Sequence, residues 1–205
     1  MRTLAKPQLN RKFGVHPARL TLCVMVCLFS CLISPTDSFP QQSSPTEAQV
    51  KAAYLYNFSK FVRWQGNSIE GEDSFSICVL GKNPFGSALS SIVAGETIAG
   101  KAIVVKNIAG TQEIGTCGIL FVTTYEEFRL KQILAAVRHL PALTVSDIPG
   151  FAARAGMIEF LNQGGKIRFE VNVAPLHDAG LTVSSELLKV AVKVIGTGEG
   201  AEVRK

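Results

Sequence analysis

The stretch GILFVTTYEEFRLKQILAAVRHLPALTVS, residues 118–146, holds three readings in succession. Residues 118–124 are an apolar run rich in β-formers. Residues 125–140 carry apolar side chains at Phe128, Ile133, Leu134, Val137 and Leu140, with Glu126 and Glu127 where a helix dipole favours negative charge, and Pro141 closes the segment. Residues 143–146 are again a strand. The strands are apolar almost without interruption, which predicts burial on both faces, as in a parallel sheet with crossover helices.

The pattern extends in both directions. Upstream, residues 74–80 (SFSICVL) and 101–108 (KAIVVKNI) read as two more strands buried on both faces. Before them, Thr46 and Gln49 form a capping box, and Val50, Tyr54, Phe58, Phe61 and Val62 recur at helical spacing as far as Trp64. Downstream, a turn of helix is expected at 151–154. Residues 157–161 and 166–173 then flank Asn162-Gln163-Gly164-Gly165, a hairpin turn sequence. Alternation in the second arm turns Ile167, Phe169 and Val171 inward and Arg168, Glu170 and Asn172 outward. A last helix is expected over about 185–195, with Leu188 and Val192 inward together with Leu187 or Val190. These elements predict a single-domain α/β sandwich: a mixed, mostly parallel sheet flanked by helices, with a C-terminal hairpin.

The chain has 205 residues and a net charge of +5, which by itself suggests a polyanion binder. The first 38 residues hold five of the 21 basic side chains and one of the 16 acidic ones, so the rest is nearly neutral, 16 basic against 15 acidic. The basic balance belongs to the leader, which argues against nucleic acid as a partner. Residues 20–33 (LTLCVMVCLFSCLI) behind that basic segment have the length of a signal-peptide core, with a cut expected before Phe39 and an uncleaved anchor as the alternative. Leu28-Phe29-Ser30-Cys31 is a poor lipoprotein box because Phe29 is bulky. Residues 39–45 read as a flexible lead-in, 46–196 as the domain and 197–205 as a disordered tail.

Of five cysteines, three lie in the leader, leaving Cys78 and Cys117. Export permits a disulfide between them, and two buried free thiols are the other reading. Gly81-Lys82-Asn83-Pro84-Phe85-Gly86, between a strand and a helix, is either an ordinary turn or a small anion or ligand loop built on Gly81, Asn83, Phe85 and Gly86. It matches neither dinucleotide nor nucleoside-triphosphate motifs. No nucleophile elbow is present. His139 sits at a helix end and His177 in a loop, and two histidines with two separated cysteines make no zinc set. Asp147 reads as a turn or cap residue with Gly150. Tyr54, Phe58 and Phe61 fit the core, whereas Tyr56, Lys60, Arg63 and Trp64, with His177, offer a surface for a partner or small ligand. No cofactor or metal is expected.

The run Val50-Lys51-Ala52-Ala53-Tyr54-Leu55-Tyr56-Asn57-Phe58-Ser59-Lys60-Phe61-Val62-Arg63-Trp64 resembles the opening helix of YfiR-family periplasmic proteins. The resemblance continues in order through Ile77–Gly81 with Asn83–Gly86, Cys117 with Ile119–Val122, Leu143–Asp147 with Gly150-Phe151, Gly156–Ile158, Ile167–Asn172, Ala179–Leu181 and Ser184–Leu188. It spans about residues 46–196. It implies a non-catalytic, homodimeric periplasmic regulator that binds the periplasmic module of an inner-membrane diguanylate cyclase and restrains cyclic di-GMP synthesis until redox or envelope stress relieves it. Other members serve sensor kinases, so a small-ligand sensor or carrier acting with a sensor histidine kinase is the alternative. The chain departs from the family at Phe151–Ala155, which lacks a further cysteine, and at Ala155-Gly156, where a Gly-Gly pair is usual. A disulfide switch would therefore need Cys78 and Cys117 to pair with each other.

Overall fold

A computed structural model describes residues 44–65 and 73–196. The leader, residues 39–43 of the lead-in and the tail from 197 lie outside the described residues. The capping box is present: the Gln49 N–H donates to Thr46 Oγ1 at 3.3 Å and the Thr46 N–H to Gln49 Oε1 at 2.8 Å. It starts helix α1 (Glu47–Phe61). Expected to run to Trp64, the helix stops three residues early, because strand β1 (Val62–Trp64) pairs antiparallel with β9 (Leu181–Val183). That partner lies almost 120 residues away, where local periodicity carries no information about it.

The main sheet contains β2 (Ser74–Leu80), β3 (Thr97–Ile98), β4 (Lys101–Ile108), β5 (Ile119–Val122), β6 (Leu143–Ser146), β7 (Ile158–Gln163), β8 (Lys166–Asn172) and β10 (Lys193–Ile195). Its order is β10-β8-β7-β6-β5-β2-β4-β3. The five strands β4, β2, β5, β6 and β7 run parallel, β7 and β8 form the antiparallel hairpin, and β10 joins β8 in parallel. Helix α2 (Ala88–Val93) crosses from β2 to β4, and a 3₁₀ helix (Thr124–Arg129) followed by α3 (Leu130–Val137) crosses from β5 to β6. The direction of winding reverses at β2, so the carboxyl ends of β2 and β5 border the crevice where open α/β sheets place ligands.

Alternate residues of the central strands enter two cores. Phe75, Ile77, Val79, Ile119, Phe121, Leu143 and Val145 face α1 and α2, where Tyr54, Phe58, Phe160 and Phe169 pack ring on ring. Cys78, Leu80, Leu120 and Val122 face the opposite way, toward Leu130, Ile133, Val137 and Phe151. Helices thus cover both faces, and the α/β sandwich with a mostly parallel sheet and a hairpin is the observed architecture.

Several expectations fail for physical reasons. Strand β4 is buried on both faces only in part: it lies one place from the sheet edge, its outer neighbour β3 covers only Lys101 and Ala102, and Ala102 and Asn107 are exposed. Phe61 is 39% exposed rather than core, because α1 ends there. Phe128 is 85% exposed: residues 124–129 wind as a 3₁₀ helix, so its three-residue turn places Phe128 above Tyr125 and not with Ile133. The last helix ends at Val190 as α5 (Ser185–Val190), and Val192 is exposed. Residues beyond it are drawn off as β10 by the open edge of β8, in the register Val194 to Val171. Asn172 points inward, capping α4 (Val173–Asp178) through Ala174 N–H and donating to Ala152 O at 2.8 Å. His177 consequently sits on a helix and not in a loop.

Candidate partner surface

The β1–β9 ribbon organises the surface anticipated at the end of α1. Arg63 lies opposite Thr182 and Trp64 opposite Leu181, and Gln65 Nε2 donates to Thr182 Oγ1 at 2.9 Å. Arg63 is exposed. Trp64 is half-buried, its indole edge-to-face with Phe75 at 5.0 Å, and its Nε1 has no hydrogen-bond partner among the described residues. His177 is exposed on the last turn of α4, immediately before the ribbon. Its neighbour Asp178 lies 4.0 Å from Arg138.

Tyr56 and Lys60 form a separate group on the flank of α1. The Lys60 ammonium stands 3.9 Å over the Tyr56 ring, and the Tyr56 hydroxyl donates to Glu96, just past α2. The structure therefore divides the five residues among the flank of α1 (Tyr56, Lys60), the ribbon (Arg63, Trp64) and the last turn of α4 (His177).

The Gly81–Gly86 loop is closely packed. Gly81 holds φ +92°, and a Cβ there would collide with Thr123 and Glu126. Asn83 turns the loop through its own side chain: Oδ1 accepts the Phe85 N–H at 2.8 Å, and Nδ2 donates to Asn107 Oδ1 at 2.9 Å. Phe85 is buried against Phe121 at 4.9 Å. Gly86, at φ +54°, is exposed. An anion at this turn would compete with Asn83 for the Phe85 N–H.

Asp147 is not a simple turn residue. Its Oδ2 accepts from Lys51 Nζ at 2.6 Å, and Lys51 also meets Glu47 at 2.5 Å. Burial pushes the Lys51 pKa down; hydrogen bonds and charge from Asp147 and Glu47 overcome this and leave it above the ordinary lysine value. The contact pins the start of α1 to the carboxyl end of β6. The next turn is held by buried Glu159, whose carboxylate accepts the Gly150 and Ala152 N–H groups at 2.8 and 2.9 Å. Neither contact was legible beforehand, since each joins residues brought together only by the sheet. Cys78 and Cys117 form a disulfide with Cα atoms 5.8 Å apart, tying β2 to the entry of β5.

Among the described residues no group of three or more His, Cys, Asp or Glu side chains is placed to hold a metal, and no helix is long and apolar enough to cross a membrane. A family model described as YfiR/HmsC-like matches residues 48–192. The chain belongs to that family. The YfiR/HmsC-like family is regulatory and periplasmic, and is connected with cyclic di-GMP signalling through membrane signalling proteins. No curated protein matches the chain in sequence. Among solved structures, a conserved domain protein from Vibrio cholerae O1 biovar El Tor is similar with TM-score 0.47 and 8% identity, over 74% of this chain and 61% of that one. An ABC domain in complex with L-Trp from Streptococcus pneumonia is similar with TM-score 0.47 and 12% identity, over 72% and 62%. The chain thus spans about three fifths of the length of these solved chains.

At Ala155-Gly156, where the resemblance leads to the expectation of a Gly-Gly pair, the geometry is clear. Ala155 adopts φ +71°, a conformation natural to glycine, and a Cβ on Gly156 would enter the Phe151 ring.

Proposed function

We propose that this chain is exported, loses residues 1–38, and acts in the periplasm as a non-catalytic repressor of an inner-membrane diguanylate cyclase. It binds the cyclase's periplasmic module in the inactive state and so lowers cyclic di-GMP synthesis. The observation that carries this reading is the YfiR/HmsC-like match across nearly all of the described domain. The mechanism is a shift of population: a regulator that prefers the inactive receptor by about 1–3 kcal/mol changes output roughly 5- to 150-fold. Such a role needs a rigid scaffold with a releasable face. The disulfide, the ring-packed core and the Lys51–Asp147 contact are consistent with that need.

The test is crosslinking in the source bacterium with the C-terminally tagged full chain, followed by purification from membranes and mass spectrometry. A diguanylate cyclase is the expected product. A sensor histidine kinase would preserve the mode of action and change the output, and enrichment of no membrane receptor would overturn the reading.

A further inference from the structure

The most exposed aromatic side chains among the described residues lie away from the ribbon. Phe128 is 85% and Tyr125 60% exposed, and both stand on the 3₁₀ helix beside the crevice between β5 and β2. Three residues per turn bring Tyr125 directly beneath Phe128, so the two rings share one face. The other two faces of the segment are anchored. Glu126 is buried and ion-paired with Arg129, whose Nη2 donates to Ala109 O at 3.0 Å, while Glu127 meets Arg154 at 3.4 Å. The aromatic pair is thus presented on a fixed frame and loses little freedom on docking.

Charge around the pair is one-sided. Both carboxylates, Glu126 and Glu127, are already matched by Arg129 and Arg154. Lys82 stands 5.3 Å over the Tyr125 ring, and Lys131, three residues after Phe128, has no ion pair among the described residues. Two exposed aromatics bordered by two uncompensated ammonium groups fit a partner with an apolar socket rimmed by carboxylates. A second copy of the chain fits poorly, because a two-fold axis sets this same patch against itself and the patch brings no free carboxylate, Glu126 and Glu127 being paired already. A bilayer fits poorly as well, since its hold on a basic surface grows with each added cation and only two are unpaired here.

We propose that the face formed by Tyr125, Phe128, Lys131 and Lys82 is the docking surface for an acidic-rimmed apolar site on the periplasmic module of the membrane receptor. This rests on the regulator reading above. The probe is the periplasmic module of whichever cyclase or kinase the wild-type chain crosslinks, purified and titrated against the full mature protein. Phe128→Ser with Tyr125→Ser weakens binding at least tenfold with an unchanged thermal midpoint. Lys131→Glu with Lys82→Glu weakens it further at low salt than at high salt. Lys166→Glu, on the exposed turn end of the β7–β8 hairpin, leaves it within twofold.

If the aromatic variants bind like wild type while Arg63→Glu fails, the docking site is the ribbon and the surface assignment is overturned with the regulator reading intact. If wild type crosslinks no receptor, the reading falls and this surface with it. Binding to phosphatidylglycerol–phosphatidylethanolamine vesicles that disappears in Phe128→Ser, with receptor affinity unchanged, assigns the face to lipid and also overturns the proposal.

Discussion

Ala155 holds a backbone conformation natural to glycine and bears its cost. At φ +71° an alanine Cβ crowds the backbone by about 1–2 kcal/mol, against an entropic cost of about 0.5–1 kcal/mol for glycine. Ala155→Gly therefore raises unfolding free energy by about 0.5–1 kcal/mol, read from a urea midpoint at constant slope. Lys51 works in the opposite sense. Its pKa is raised in the folded state, so its contribution is fully present below the unfolded value of 10.5 and is lost as pH rises through the folded one. Lys51→Met lowers stability by about 1–3 kcal/mol at pH 7, between the exposed and buried limits for an ion pair, because Glu47 remains half in water. The gap between Lys51→Met and wild type stays level up to about pH 10 and narrows above it. A gap that narrows between pH 7 and 9 would show that Lys51 is not the titrating group.

At the level of elements, the disulfide ties β2 to the entry of β5 across 39 residues of chain. Closing a loop of that length removes about 3–4 kcal/mol of unfolded-state entropy in the chain-entropy account. Cys78→Ala with Cys117→Ala lowers stability by about 2–4 kcal/mol, and reducing agent shifts the wild-type denaturation midpoint while leaving that variant unmoved. Equal sensitivity of both proteins to reductant would contradict the pairing. At the level of residues 78 and 117 a disulfide and two free thiols are equally open, since separation along the chain says nothing of Cα distance. Cys117 lies just before β5, outside the ladder, and folds back over the face of β2 that carries Cys78, so the two Cα atoms come within 5.8 Å where strand register alone would hold them farther apart. The same contrast runs through the helices. The start of α1 was readable from Thr46 and Gln49, which bond each other locally; its end was not, since β9 sets it.

For the molecule as a whole, the balance of charge places the excess in the first 38 residues and leaves a nearly neutral domain. Deleting the chain in the source bacterium raises cellular cyclic di-GMP several-fold. Restoring the full chain lowers it again, while residues 39–205 expressed without the leader do not. Equal rescue by both forms would place the site of action in the cytoplasm and contradict export. A fall in cyclic di-GMP on deletion would reverse the sign of the regulation.

What the amino-acid order determined by itself was whatever depends on neighbours in the chain: the αβ alternation, the capping box, the hairpin turn at Asn162–Gly165 and the family resemblance. Each is a short-range pattern of apolar spacing or turn chemistry, legible without a partner. Tertiary structure alone decided where α1 and the last helix stop, because β9 and the edge of β8 compete for their residues. It also decided that Asp147 meets Lys51 across the sheet, and that Tyr56 and Lys60 part from Arg63, Trp64 and His177. The exposure of Phe128 belongs to the same class. An α-helical reading folds that side chain inward, and only the observed 3₁₀ winding, held by buried Glu126 and Arg129, turns it out to solvent.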